Sequence, residues 1–178
     1  MSLDALRDSL PAYAKDLSLN LSSLAAETLM TDQQKWGCFV ASAYAVGSGP
    51  VIKAMEAAAR EAGVSDEAMT AAKAAAAIMG MNNVYYRATH LLHEAEYASM
   101  PARLRMLVIG NPGVEKADFE LWCMAVSAIN GCGGCMIAHD HGLKKLGVPA
   151  QTIQATLRIG AVVNAVSRVV EAERAAAA

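Results

Sequence analysis

Five prolines, Pro11, Pro50, Pro101, Pro112 and Pro149, fall between the apolar-periodic stretches of this chain and never inside one. Proline breaks a helix interior but is tolerated in a first turn, so these positions punctuate helices rather than interrupt them. The stretches between them are rich in alanine, sparse in β-branched residues and free of strand-like alternation. Such segments favour helix. The expected fold class is therefore all-α, with helices near 3–10, 11–29, 32–47, 50–62, 65–79, 81–98, 101–109, 117–130, 133–146, 149–158 and 160–174. "GNPG" at 110–113 is the clearest loop.

A chain of 178 residues is long enough to bury a core, and is read as a single helical domain over 1–178. A net charge of −2 with only fifteen basic residues gives no electrostatic footprint for nucleic acid. The first ten residues, "MSLDALRDSL", carry acids at Asp4 and Asp8 and no sustained apolar run, so they are not a signal peptide. The longest uncharged run, Leu121 to Ala138, is broken by Asn130, Gly131, Gly133 and Gly134. A membrane-spanning helix needs about 20 mostly apolar residues, so no membrane segment is expected. The cysteines, Cys38, Cys123, Cys132 and Cys135, without a secretory signal point to a reducing cytoplasm. In that setting a close CxxC is more often catalytic or metal-binding than structural.

Two stretches resemble each other. "QKWGCFVASAYAVGSG" (34–49) aligns with "ELWCMAVSAINGCGGC" (120–135), placing Trp36 on Trp122 and Val40 on Val126. "GVSDEAMTAAKAAAAI" (63–78) aligns with "GVPAQTIQATLRIGAV" (147–162) after a slip of two residues. An internal duplication with units near 33–87 and 119–171 is expected on this basis. In that alignment Gln34 stands opposite Glu120, Val46 and Gly49 opposite Cys132 and Cys135, and Lys53 opposite His139. One half would then keep the chemistry and the other would be scaffold.

That chemistry sits in "GCGGCMIAHDHG" (131–142), where Cys132-x-x-Cys135-x-x-x-His139 is followed by His141. Asp118 is expected to cap a helix that Asn130-Gly131 ends, and a second helix starts around Cys132. Residues three apart in a helical turn bring their α-carbons into disulfide range. His139, one turn beyond Cys135, shares its face and can reach its sulfur. Structural zinc wants four ligands; three are offered here, His141 points away, and no second CxxC or HxxxH completes the set. No metal is expected. A static disulfide closing so small a loop would stabilise little and would tend to be reduced in the cytosol. A reactive thiol pair remains.

Helix placement alone does not make such a pair efficient. Lowering a thiol pKa from about 8.5 to about 7 raises the thiolate fraction at neutral pH roughly fifteen-fold, and weaker nucleophilicity takes back about five-fold. A net gain of about three-fold leaves proton transfer to supply the rest. An imidazole can take the thiol proton and return one to the leaving oxygen, and a carboxylate behind it would hold its tautomer. Asp140 is near in sequence; Glu120 and Glu115 are candidates through space.

Glu120-x11-Cys132-x2-Cys135-x3-His139, with "LPAYAKDLSLNLSSL" (10–24), "AAAAIMGMNNVYYR" (74–87) and "NPGVEKADFELWCMAVSAINGC" (111–132), resembles the AhpD alkylhydroperoxidases of the carboxymuconolactone decarboxylase-like superfamily. The resemblance implies an all-helical homotrimer that reduces hydroperoxides and regenerates the peroxiredoxin AhpC. It binds no cofactor of its own. Protein-linked dihydrolipoamide would be the reductant, on a lipoylated acyltransferase subunit served by dihydrolipoamide dehydrogenase. By the same resemblance Cys135 attacks the peroxide and passes through a sulfenic acid. Cys132, the more exposed thiol, donates a proton, resolves, and meets reductant or partner first. His139 and Glu120 form a relay that deprotonates Cys135 through water. Some members carry histidine directly before the second cysteine, where this chain has Gly134, so that auxiliary group is missing.

Other candidates receive structural readings. His90 and His93, beside Glu94 and Glu96, are taken as a solvated helix face. Met79, Met81, Met100 and Met106 read as core filling or trimer contact, and Trp36 and Trp122 as buried anchors. Cys38 and Cys123 read as inert core thiols. Two rival functions stand beside the peroxidase: decarboxylation of a lactone acid, which does not need two thiols, and a non-catalytic dithiol redox adaptor.

Overall fold

The computed structural model describes residues 1–177, Ala98 by its backbone alone; Ala178, the last residue of the expected domain, lies outside the described residues. The described residues form ten α-helices and contain no strand: α1 Leu3–Asp8, α2 Lys15–Ala25, α3 Asp32–Val46, α4 Gly49–Glu61, α5 Asp66–Leu91, α6 Ala95–Ser99, α7 Leu107–Gly110, α8 Lys116–Ile129, α9 Gly133–Lys145 and α10 Ala150–Ala176. The all-α expectation holds. Its boundaries shift where packing overrides local preference. The helices expected at 65–79 and 81–98 are one, α5, which runs through Gly80 and ends at Leu91, before the positive-φ His93. A single glycine costs about 1 kcal/mol in a helix, little against a buried face of this length. Those expected at 149–158 and 160–174 are also one, α10. Gly160 lies where α10 crosses α8, and a β-carbon there would stand 3.1 Å from the Ala125 carbonyl oxygen. Segment 11–29 divides into a 3₁₀ turn at 12–14 and α2, and the helix expected at 101–109 shrinks to α7.

Helices α3, α5, α8 and α10 pack against one another around the core, with α4 and α9 laid on this group. Alanines 41, 43, 72, 75 and 125 are fully buried at the crossings, between large buried side chains such as Phe39, Met55, Phe119, Leu121 and Ile159. Small residues let the axes approach while the large ones fill the space between turns. At the α3–α8 crossing the Trp122 indole lies on Gly37, where a β-carbon would come within 2.1 Å of the ring, and its Nε1 donates to the Gln34 carbonyl at 3.1 Å. Trp36 and Trp122 are both buried, as expected. Met79 fills core, Met81 and Met106 are half-buried, and Met100 is exposed.

Two successive helix triplets match in length and spacing. α3, α4 and α5 have 15, 13 and 26 residues; α8, α9 and α10 have 14, 13 and 27. Their N-caps pair as Thr31 with Glu115, Ser48 with Cys132 and Ser65 with Pro149, each 84 residues apart. The left-handed turn glycines keep the same spacing, Gly47 with Gly131 and Gly63 with Gly147. This corrects the sequence alignment, whose first block is two residues out of register because two tryptophans were superposed. The places of Cys132, Cys135 and His139 are held in the first triplet by Ser48, Val51 and Met55, not by Val46, Gly49 and Lys53; Trp36, not Gln34, stands opposite Glu120.

Candidate active site

The α8–α9 turn is built by local rules. Asn130 ends α8, Gly131 takes φ 68° to reverse the chain, and Cys132 becomes the N-cap of α9. The Cys132 sulfur accepts the Cys135 amide at 3.3 Å, filling the role a serine or aspartate oxygen usually plays at an N-cap. Of the alternatives for this motif, the structure has the disulfide: Cys132 and Cys135 are joined, with α-carbons 5.3 Å apart. Both sulfurs stand at the helix N-terminus, where unpaired amides and the helix dipole favour negative charge on whichever sulfur is released.

One turn along α9, His139 Nδ1 lies 2.7 Å from Glu120 Oε2 on α8. This settles which carboxylate backs the imidazole. Asp140 turns to Lys144 at 2.7 Å instead, and Glu115 is the N-cap of α8. Each side chain of the His139–Glu120 pair keeps 14% exposure, so it is neither dry nor freely solvated. An ionised carboxylate can only accept, so Nδ1 carries the proton and Nε2 is left free as a base. Gly142 lies beside the carboxylate, and a β-carbon there would meet Glu120 Oε2 at an ordinary 3.7 Å.

Other expectations change. Asp118 is not the cap of α8. It is buried in the first turn and accepts from Gln33 Nε2 at 2.7 Å and Gln34 Nε2 at 2.9 Å, tying α3 to α8. The expectation that Cys132 is the more exposed cysteine is reversed: Cys132 has no exposed surface and Cys135 has 9%. An N-cap side chain folds back over its own first turn, which buries this sulfur. Cys38 and Cys123 are buried as expected. Burial pushes the Cys38 thiol up to about 12 and raises Cys123 well above the ordinary thiol range, so neither is a nucleophile at neutral pH.

Sequence reasoning missed the contribution of α5. Asn83 Nδ2 donates to Ser127 Oγ at 2.9 Å, and Asn83 Oδ1 accepts from Asn130 Nδ2 at 3.0 Å. The Arg87 guanidinium donates to the Asn130 carbonyl. His90, taken as part of a solvated face, packs on Gly134 within the CxxC itself. The available signal was the spacing of Asn83, Arg87 and His90, four and then three residues apart on a helix whose buried positions are mostly alanine and methionine. His93 and His141 are exposed and join nothing of this site.

Comparison with known proteins shows what the chain is similar to. Residues 95–178, which contain all four site residues, match the carboxymuconolactone decarboxylase family. The chain is 62% identical over 178 residues to the alkyl hydroperoxide reductase AhpD of Hyphomonas neptunium, covering 100% of this chain and 98% of that protein. It is 60% identical over 173 residues to the protein of the same name from Maricaulis maris, covering 97% and 99%. Against that of Streptomyces coelicolor it is 52% identical over 178 residues, covering 100% and 99%. With identity of this level running end to end, the chain belongs to the AhpD alkyl hydroperoxide reductase family.

Proposed function

We propose that this protein reduces alkyl hydroperoxides with the Cys132–Cys135 pair. The reading is carried by one arrangement: a disulfide at the N-terminus of α9, one helical turn from an imidazole held by a carboxylate. In the reduced state His139 takes the Cys135 proton through water while Glu120 steadies the imidazolium. The Cys135 thiolate attacks the outer peroxide oxygen, the O–O bond breaks, and the alkoxide leaves as alcohol with the proton returned by the relay or by Cys132. Cys135 is now a sulfenic acid. Cys132 attacks its sulfur, expels water, and forms the disulfide.

Reduction then needs a dithiol. Its thiolate attacks a protein sulfur and its second thiol closes its own disulfide, returning two electrons. Cys135, the residue of the pair with exposed surface, is the one attacked, and Cys132 leaves as a thiolate that still accepts the Cys135 amide. Protein-linked dihydrolipoamide on an acyltransferase subunit, recharged by dihydrolipoamide dehydrogenase, is the proposed reductant, and the peroxiredoxin AhpC the proposed redox partner. A homotrimer in the cytoplasm is the proposed state; association of some kind is supported by apolar surface around α6 and α7, where Leu91, Leu92, Met100 and Leu107 are 68%, 59%, 49% and 85% exposed. Among the described residues no helix is long and apolar enough to cross a membrane.

Lactone-acid decarboxylation is the second reading, favoured by the name of the family matched over 95–178. It gives the disulfide no role. Peroxide consumption by the isolated protein with dihydrolipoamide separates the readings, including the non-catalytic adaptor. Turnover that disappears in Cys135→Ser is expected. Its absence in the wild type, with intact disulfide reduction, would leave the adaptor.

A further inference from the structure

Helix α5 runs past the dithiol turn with Asn83, Arg87 and His90 in one row. The first two hold Ser127 and Asn130 at the end of α8. His90 carries the row onto Gly134: a β-carbon at 134 would lie 2.2 Å from His90 Cε1 and 2.4 Å from Nδ1, closer than side chains pack. The neighbouring Gly133 faces open space, and neither glycine adopts positive φ. The backbone therefore does not demand glycine at 134. The imidazole does.

We propose that His90 is a positioning residue of the dithiol, seated on the residue between the cysteines to favour the Cys135 thiolate, and that position 134 is glycine in order to admit it. This rests on the dithiol reading above. The ring touches a residue whose α-carbon is one peptide, about 3.8 Å, from that of Cys135. An imidazole seated on the neighbouring residue can favour thiolate by an N–H donor when neutral and by its charge when protonated. His139 is engaged with Glu120, so a second imidazole entering from α5 is not redundant.

The test is alkylation of the reduced protein with iodoacetamide at neutral pH, following Cys135 by mass spectrometry; neither peroxide nor a partner is needed. His90 is exposed, so His90→Ala keeps the fold and is expected to slow alkylation about fivefold. Gly134→Ala puts a β-carbon where the ring was. The ring swings into solvent, the rate falls by the same factor, and the His90→Ala/Gly134→Ala double variant is no slower than either. Gly134→His in the His90→Ala background returns an imidazole to the gap and restores the rate, whereas Gly134→Phe does not. An unchanged rate in His90→Ala, additive losses in the double variant, failure of histidine to restore the rate, or equal recovery with phenylalanine each overturn the proposal. Wild-type protein whose Cys135 alkylates fast but consumes no peroxide would instead sink the peroxidase reading, leaving His90 to be judged on alkylation alone.

Discussion

The turns that open α4 and α9 occupy the same place in the two helix triplets, and they have opposite characters. Ser48 caps one and Cys132 the other, both without exposed surface to speak of. Beyond the caps they diverge. Val51 and Met55 are fully buried, while Cys135 keeps 9% exposure and the His139 side chain 14%. The reason lies in what covers them. α1 packs on α4, with Leu6 completely buried, whereas α9 rests on α5, α8 and α10 and has no such lid among the described residues. Even the second helical residue pair follows the pattern, Pro50 in α4 against Gly134 in α9 with His90 upon it. The turn at the matching position thus serves as packed scaffold in one triplet and as the proposed reactive centre in the other, and the two differ in what covers them.

The largest effects come from removing what the first turn never had. Cys135→Ser is expected to abolish peroxide turnover, and Cys132→Ser to leave a sulfenic acid at Cys135 that a dimedone reagent traps. Equal trapping at Cys132 in Cys135→Ser would reverse the two roles. Next comes the relay. His139→Met copies Met55, and Glu120→Gln keeps the shape of the carboxylate without its charge. Both variants should fold, since the pair is partly exposed, and lose on the order of a hundredfold in turnover. Near wild-type rates in either would leave helix placement as the sole activation, worth only about three-fold.

The reverse transplant sharpens the comparison from the other side. Ser48→Cys/Val51→Cys puts a CxxC at the start of α4 with Trp36 where Glu120 would be needed. The pair has the backbone to form a disulfide, but its reduced thiols should alkylate at least roughly tenfold more slowly than Cys135, because only a local opening under α1 exposes them. Alkylation as fast as at Cys135 would show that covering is not what silences this turn.

How much of this was legible in the sequence follows from the range of the interactions involved. Helix content, the turn at Asn130-Gly131 and the helix start around Cys132 depend on a few neighbouring residues, and each was read correctly. Gly80 and Gly160 misled because their tolerance depends on helices packed alongside. Trp36 and Trp122 misled differently: rare residues invite alignment, yet they stand at different depths in their helices, five residues after Thr31 and seven after Glu115. The carboxylate behind His139 and the imidazole on Gly134 come from α8 and α5, and no spacing along α9 could announce them.

The smallest expected effects concern the acids one residue beyond Met55 and His139. Glu56 and Asp140 each bind a base four residues on, Arg60 at 3.0 Å and Lys144 at 2.7 Å. Only Glu56 gains further partners from other helices, Lys73 at 2.6 Å and the Tyr44 hydroxyl at 2.7 Å. The Lys73 ammonium first, then the Tyr44 and Arg60 donors, hold its carboxyl at about 2, against an ordinary 4.5. A depressed carboxyl contributes stability that is fully present above about 4.5 and is lost as pH falls towards 2. Glu56→Gln should therefore cost on the order of 2 kcal/mol in urea unfolding at pH 7, and the gap should close progressively below pH 4.5. Asp140→Asn, which breaks one exposed pair, should cost less than about 0.5 kcal/mol at either pH. A Glu56→Gln deficit that is as large at pH 2.5 as at pH 7 would mean that packing, not charge, binds α4 to α3 and α5.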